Sequence, residues 1–135
     1  PPSLGWLTQS AFFAADQSII CCVPAAYSML ALGRLREYHQ TINENHKLDV
    51  LGVVMSFWDE RGATNQALLE IIESSFPGKL FESKIRRDIA ISHAVFEGKP
   101  VTMTAPQGRG AQDYQALSRE VAERCGIISG ELIGV

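Results

Sequence analysis

Residues 48–57 (LDVLGVVMSF) are apolar at both odd and even positions and carry a single charge, Asp49. A strand with one solvated face alternates apolar and polar residues, whereas a strand covered on both faces reads as an unbroken β-branched run. Residues 18–23 (SIICCV) have the same character and stop at Pro24. Around these runs the apolar residues fall at helical spacing instead. Trp6, Leu7, Ser10, Ala11, Phe13 and Ala14 predict a helix over 6–15. Tyr27, Leu30, Leu35, Tyr38 and Ile42 predict a stripe along a helix over 27–43, with Arg34, Arg36, Glu37 and Gln40 mostly outside it.

Further on, Thr64 is placed to cap a helix running to about Ser75, closed by Pro77 and Gly78. A third, more polar strand spans 80–85. Asp88 caps a short helix to about Glu97, and a last helix over 110–124 ends at Cys125 and Gly126. Doubly buried strands alternating with helices specify an α/β fold, a parallel sheet with helices on both faces. Only three strands are legible, and three parallel strands leave two open edges. The pattern is that of a partial sheet, half of a domain.

The 135 residues, 46% hydrophobic and 20% charged, exclude a disordered or low-complexity chain. A net charge of −3 gives no overall basic field, so contact with nucleic acid has to be a local patch. The longest apolar run falls far short of the roughly 20 residues that span a bilayer. The first residues carry neither a basic nor an apolar leader pattern, so a cytoplasmic chain is expected. The tail over 126–135 has Ile127, Ile128, Leu132 and Ile133 but no basic face, which argues against a membrane anchor. Cys21 and Cys22 read as two small core residues, and with Cys125 they form no metal-binding spacing. His39, His46 and His93 are scattered, so no metal site is expected. The serines lack a nucleophile-elbow context.

Two stretches carry chemistry. Lys84, Arg86 and Arg87, with Lys79 before and Lys99 after, form the densest positive stretch, either a solvated face or a patch for phosphates. Asp59, Glu60 and Arg61 follow the central strand at its carboxyl end, where open α/β sheets place ligands; an ordinary loop with a solvated ion pair is the alternative. Phe57 and Trp58 beside them could stack on a base or simply pack.

The ordered set of motifs resembles the ParA/Soj/MinD-type partition ATPases, which carry a deviant Walker A loop. Pro1, Pro2, Ser3, Leu4 and Gly5, followed by a helix ending in Ala14-Ala15-Asp16, resemble the segment after the Walker B aspartate. Val23-Pro24 with Tyr27 and Leu32 resembles "P-E-x-x-A-L-x-G-L", and residues 51–61 resemble "L-G-V-V-L-T-M-Y-D-x-R". Residues 81–88 resemble "F-x-T-x-I-P-R-N", with Arg86, Arg87 and Asp88 standing at P-R-N. Ser92-His93-Ala94 and Gly98-Lys99-Pro100 resemble "S-E-A-P-S-x-G-K-P", with His93 and Val95 in place of Glu and Pro. Gly110-Ala111 with Tyr114, Leu117 and Glu120 resembles the closing "G-A-x-x-Y-x-x-L-A-x-E" helix.

The resemblance covers about residues 1–124 and implies the C-terminal half of a P-loop NTPase-like domain over 1–125, with a tail over 126–135. The upstream K-G-G-x-G-K-T loop has no counterpart in these residues, so no catalytic residue is expected here and the chain alone should not hydrolyse ATP. For the full protein the resemblance implies ATP and Mg²⁺, a homodimer, nonspecific DNA binding on the bacterial nucleoid and a ParB-type partner. It assigns Pro1, Pro2, Ser3, Leu4 and Gly5 to switch II, and Ser56, Arg86, Arg87 and Asp88 to the adenine side. The DNA-facing cations are Arg61, Lys84, Arg86 and Arg87; a second family arginine position is Ala90 here. The alternative from another class is a non-catalytic interaction module that dimerises through its exposed sheet edge.

Overall fold

A computed structural model describes residues 5–127. The elements are α1 (Trp6–Ala14), β1 (Gln17–Cys22), α2 (Ala26–Asn43), β2 (Asp49–Trp58), α3 (Asn65–Ser75), β3 (Leu80–Arg86), α4 (Ile89–Glu97), α5 (Val101–Thr104) and α6 (Arg109–Arg124). The three strands are parallel in the order β1-β2-β3. The expected α/β class and element order hold; the single-turn α5 has no counterpart in the sequence reading. Pro1, Pro2, Ser3 and Leu4 of the expected switch II, and most of the tail, lie outside the described residues.

The central strand explains the unbroken apolar run. Val50, Val53 and Met55 face Ile20 and Cys22 of β1 with Leu32 of α2 and Leu68, Ile72 and Phe76 of α3 and its end. Leu51 and Val54 face the other way, joining Phe81 and Ile85 of β3 under Ile91, Leu117 and Val121. Both faces of β2 are therefore covered, as its sequence requires. Gly52 is a steric necessity there, because a Cβ at that position would overlap the Phe81 ring.

Three local expectations are corrected. The buried line of α2 is Leu32 and Ile42, with Leu35 packed against the core, and it takes in His39; Tyr27 and Leu30 are solvent-exposed. A helix wide in apolar residues presents to the sheet only the face set by its crossing geometry, and Leu30 falls on the opposite side. Cys22 is buried but Cys21 is exposed, because successive strand residues point to opposite faces and, among the described residues, one face of β1 is covered. Thr64 occupies the cap position of α3 without a side-chain capping bond, whereas Asp88 does cap α4 through the Ala90 N–H.

Charged groups as well as apolar contact dock α6 on the sheet. Glu120 accepts the N–H groups of Glu82 and Ser83, each at 2.9 Å. Arg124 donates to the carbonyls of Leu51, Lys79 and Leu80 at 3.1, 3.0 and 2.7 Å, with its guanidinium 4.0 Å from the Phe81 ring centroid. The backbone donors along the outer edge of β3 are thus met by side chains of α6 rather than by another strand.

Candidate functional site

The carboxyl ends of β2 and β3 meet the loop over 59–64, the dipeptide Arg87-Asp88 and the N-termini of α4 and α6. Phe57, near the end of β2, has φ of 52°, a left-handed conformation that a bulky side chain rarely adopts. Its ring is 57% exposed, with the Arg87 guanidinium 5.4 Å from its centroid. Strain of this kind persists where the surroundings enforce it and concentrates at binding sites. Lys84 sits over Trp58 at 5.3 Å, so the two aromatic residues each carry a cation. Below them, Asp59 turns its carboxylate onto the Arg61 N–H at 3.0 Å, and the Asn65 amide donates to the Asp59 carbonyl at 2.6 Å. These bonds hold the loop and leave the Arg61 side chain outward.

Arg86 is fixed from across the chain. Asp113 of α6 accepts its N–H at 2.9 Å, its Nε at 3.0 Å and its Nη2 at 2.7 Å. This bidentate bond, with the carboxylate side chain only 10% exposed, pushes the Arg86 guanidinium further up from its ordinary value. Asp88 accepts the Ala90 N–H at 3.0 Å and the Gly110 N–H at 2.8 Å, joining the first turns of α4 and α6. Those two N–H groups, with Arg109 and Arg86 nearby, hold the Asp88 carboxyl below its ordinary value.

Two concavities result, sharing Phe57, Arg86 and Arg87 on their walls. One, about 600 Å³, is mostly apolar and is bounded by Ser56, Phe57, Ile89, Ile91, Ser92 and Tyr114 with the Arg87-Asp88 loop. The other, about 580 Å³, is polar and is ringed by Arg61, Arg87 and Arg109 with Asp59 and Glu60. Among the described residues, no ion pair engages Arg61, Arg87 or Arg109.

The residues singled out in the sequence are therefore brought together in part. Ser56, Arg86, Arg87 and Asp88 share the apolar cavity, and Arg61 joins Arg86 and Arg87 at the polar groove. Lys84 lines neither; its ammonium lies over Trp58 and donates to the Glu82 carbonyl at 3.3 Å. Sequence reasoning misses Tyr114 and Ile89 in the cavity wall and Arg109 in the groove. Tyr114 falls in a quoted motif, which is the one available signal; Arg109 reaches the groove only through the tertiary placement of α6.

No family model matches the chain. It is 50% identical over 121 residues to a ParA family protein of Chlamydia trachomatis, covering 90% of this chain and 48% of that protein. It is 31% identical over 124 residues to the sporulation initiation inhibitor protein Soj of Bacillus subtilis, covering 90% and 49%. The fold matches the septum site-determining protein MinD of Pyrococcus horikoshii, solved with Mg-ADP, at a TM-score of 0.72 and 22% identity, covering 94% of this chain and 49% of that one. The chain thus spans about half the length of the relatives it matches.

Proposed function

Because the chain is of the ParA/Soj/MinD type in sequence and fold, we propose that it is the C-terminal half of a partition ATPase. In the whole protein this half contributes the adenine side of an ATP site and a DNA-facing surface. ATP and Mg²⁺ binding by the other half, homodimerisation, nonspecific DNA binding and stimulation by a ParB-type partner complete the reading. The nucleotide phosphates and Mg²⁺ require a glycine-rich loop with Lys and a hydroxyl, which these 135 residues do not contain. What they offer is a mostly apolar cavity of about 600 Å³, with room for a base, and Ser56, Arg87 and Asp88 in its lining. The chain alone accordingly does not hydrolyse ATP.

The observation that carries the DNA side is the groove in which Arg61, Arg87 and Arg109 converge without ion-pair partners among the described residues. Guanidiniums free to meet phosphates give sequence-blind, salt-dependent affinity. Arg86 is already neutralised by Asp113 and has less to offer, so the role falls first on Arg61 and Arg87. The test is binding of a nonspecific DNA duplex against salt concentration. Arg61→Ala and Arg87→Ala should each flatten the log–log slope by about 0.9, the amount that one neutralised phosphate contributes. Unchanged slopes in both variants would remove the DNA assignment.

One observation favours the second reading, an interaction module. β1 is an edge strand with Ile19 and Cys21 exposed on its uncovered face, and no side chain among the described residues caps its edge as α6 caps β3. A chain that stays monomeric in sedimentation at high concentration would argue against it.

A further inference from the structure

Arg87 and Asp88 form the rim of the apolar cavity, and two carboxylates tie this dipeptide to one turn of α6. On its upstream side, Asp113 holds Arg86 by the main-chain N–H and by Nε and Nη2 of the guanidinium, at 2.7 to 3.2 Å. On its downstream side, Asp88 reaches back to the Gly110 N–H. The contact is close: a Cβ at Gly110 would lie 2.8 Å from Ile91. Arg87 itself has its stacking on Phe57. Tyr114, the residue after Asp113, lines the same cavity. Asp113 and the Asp88–Gly110 bond therefore both tie the Arg87-Asp88 segment to the turn of α6 that carries Tyr114.

The edge of β3 does not need this residue for closure further back, where Glu120 meets Glu82 and Ser83. Arg86 also stands where the P-R-N pattern has proline. A proline fixes φ covalently and has no N–H; Arg86 has that N–H, and Asp113 is what accepts it.

We propose that Asp113 is a positioning residue which, through Arg86, sets the Arg87-Asp88 rim against Tyr114 and so shapes the cavity for a purine base. This rests on the adenine-side reading of that cavity.

Adenosine is the suitable probe, because it asks for the base cavity without needing a phosphate loop. The 135-residue chain is titrated with adenosine by NMR, following the amides of Phe57 and Ile89, and amide exchange is read at Val53 and Val54. Asp113→Ala should bind adenosine about tenfold more weakly, the factor that corresponds to re-ordering about one backbone residue on binding. Exchange at Val53 and Val54 should quicken no more than in Glu120→Ala, which shows that the sheet still folds. Asp113→Asn, which keeps one acceptor oxygen and carries the test if the alanine variant does not fold, should fall between. Glu120→Ala removes comparable bonds from the same strand away from the cavity and should leave adenosine affinity unchanged. Wild-type affinity in the Asp113 variants, or an equal loss in Glu120→Ala, overturns the positioning role. A wild-type chain that does not bind adenosine at all overturns the base-side reading first, and the proposal with it.

Discussion

Replacing Glu120 by Ala tests whether α6 seals the sheet through its charged groups. The carboxylate accepts the Glu82 and Ser83 N–H groups at 2.9 Å and the Arg124 Nη2 at 3.0 Å, with its side chain 16% exposed. In the alanine variant the half-buried Ser83 N–H is left without an acceptor, a loss of about 1–3 kcal/mol. The Glu82 N–H is solvent-accessible, so water replaces most of that bond. Arg124 keeps three carbonyl partners and loses about 0.5–1 kcal/mol of a partly screened pair. Together these come to about 1.5–4 kcal/mol, which at a mid-range urea slope of about 2 kcal/mol/M lowers the midpoint by about 0.75–2 M. The effect has a defined pH window. Burial pushes the Glu120 carboxyl up, but the Ser83 and Glu82 N–H groups and Arg124 together bring it below its ordinary 4.5. The unfolded chain then binds the proton more readily, so this stabilisation is present above that ordinary value and lost as pH falls through the folded one. Urea melts of both proteins at neutral pH and in acid measure the difference. A shift under about 0.5 kcal/mol at neutral pH, or one that persists unchanged in strong acid, would refute the reasoning.

Other perturbations have equally direct readouts. Gly52→Ala drives a methyl into the fully buried Phe81 ring and should cost about 1–3 kcal/mol or more in a urea melt. His39 is buried with its Nε2 unpartnered, and burial holds its pKa below the ordinary 6.5. The unfolded chain therefore takes up the proton first, so wild-type stability falls as pH drops through 6.5; His39→Leu should remove that slope and add about 1 kcal/mol in melts compared across pH 5–8.

The architecture is legible in the sequence because its strongest determinants are local. The non-alternating run over 48–57, short and rich in β-branched residues, reads as a strand covered on both faces, and Asp88 announces a helix start by residue type and is found capping α4. What a sequence does not carry is pairing across distance. Arg86 reads as a free cation in a basic stretch, yet its charge is met by Asp113, 27 residues on. Arg109 sits outside the basic stretch and still reaches the groove. Periodicity likewise gives the width of the apolar band of α2 but not which part of it the sheet selects, so Leu30 reads as inward and His39 gives no signal. Motif order locates the loops of the candidate site; the partners of their side chains are set by the docking of α6.

That docking also gives the sheet a direction. On the β3 side, Glu120 and Asp113 occupy the N–H groups of Glu82, Ser83 and Arg86, so a further strand would have to displace charged acceptors. On the β1 side, Ile19 is 42% exposed, Cys21 is exposed, and the strand pairs only with β2 among the described residues. If the sheet grows, it grows from β1. Two adjacent thiols make this measurable, since Cys21 is exposed while Cys22 is buried and its thiol is pushed up by burial. A small thiol reagent should modify Cys21 and spare Cys22 in the 135-residue chain. In a longer protein whose additional elements pack over this face of β1 as the sheet extends, Cys21 should become protected. Cys21 reacting as fast in the longer protein as in the isolated chain would mean that this face of β1 stays uncovered, and would shift the balance toward the interaction-module reading.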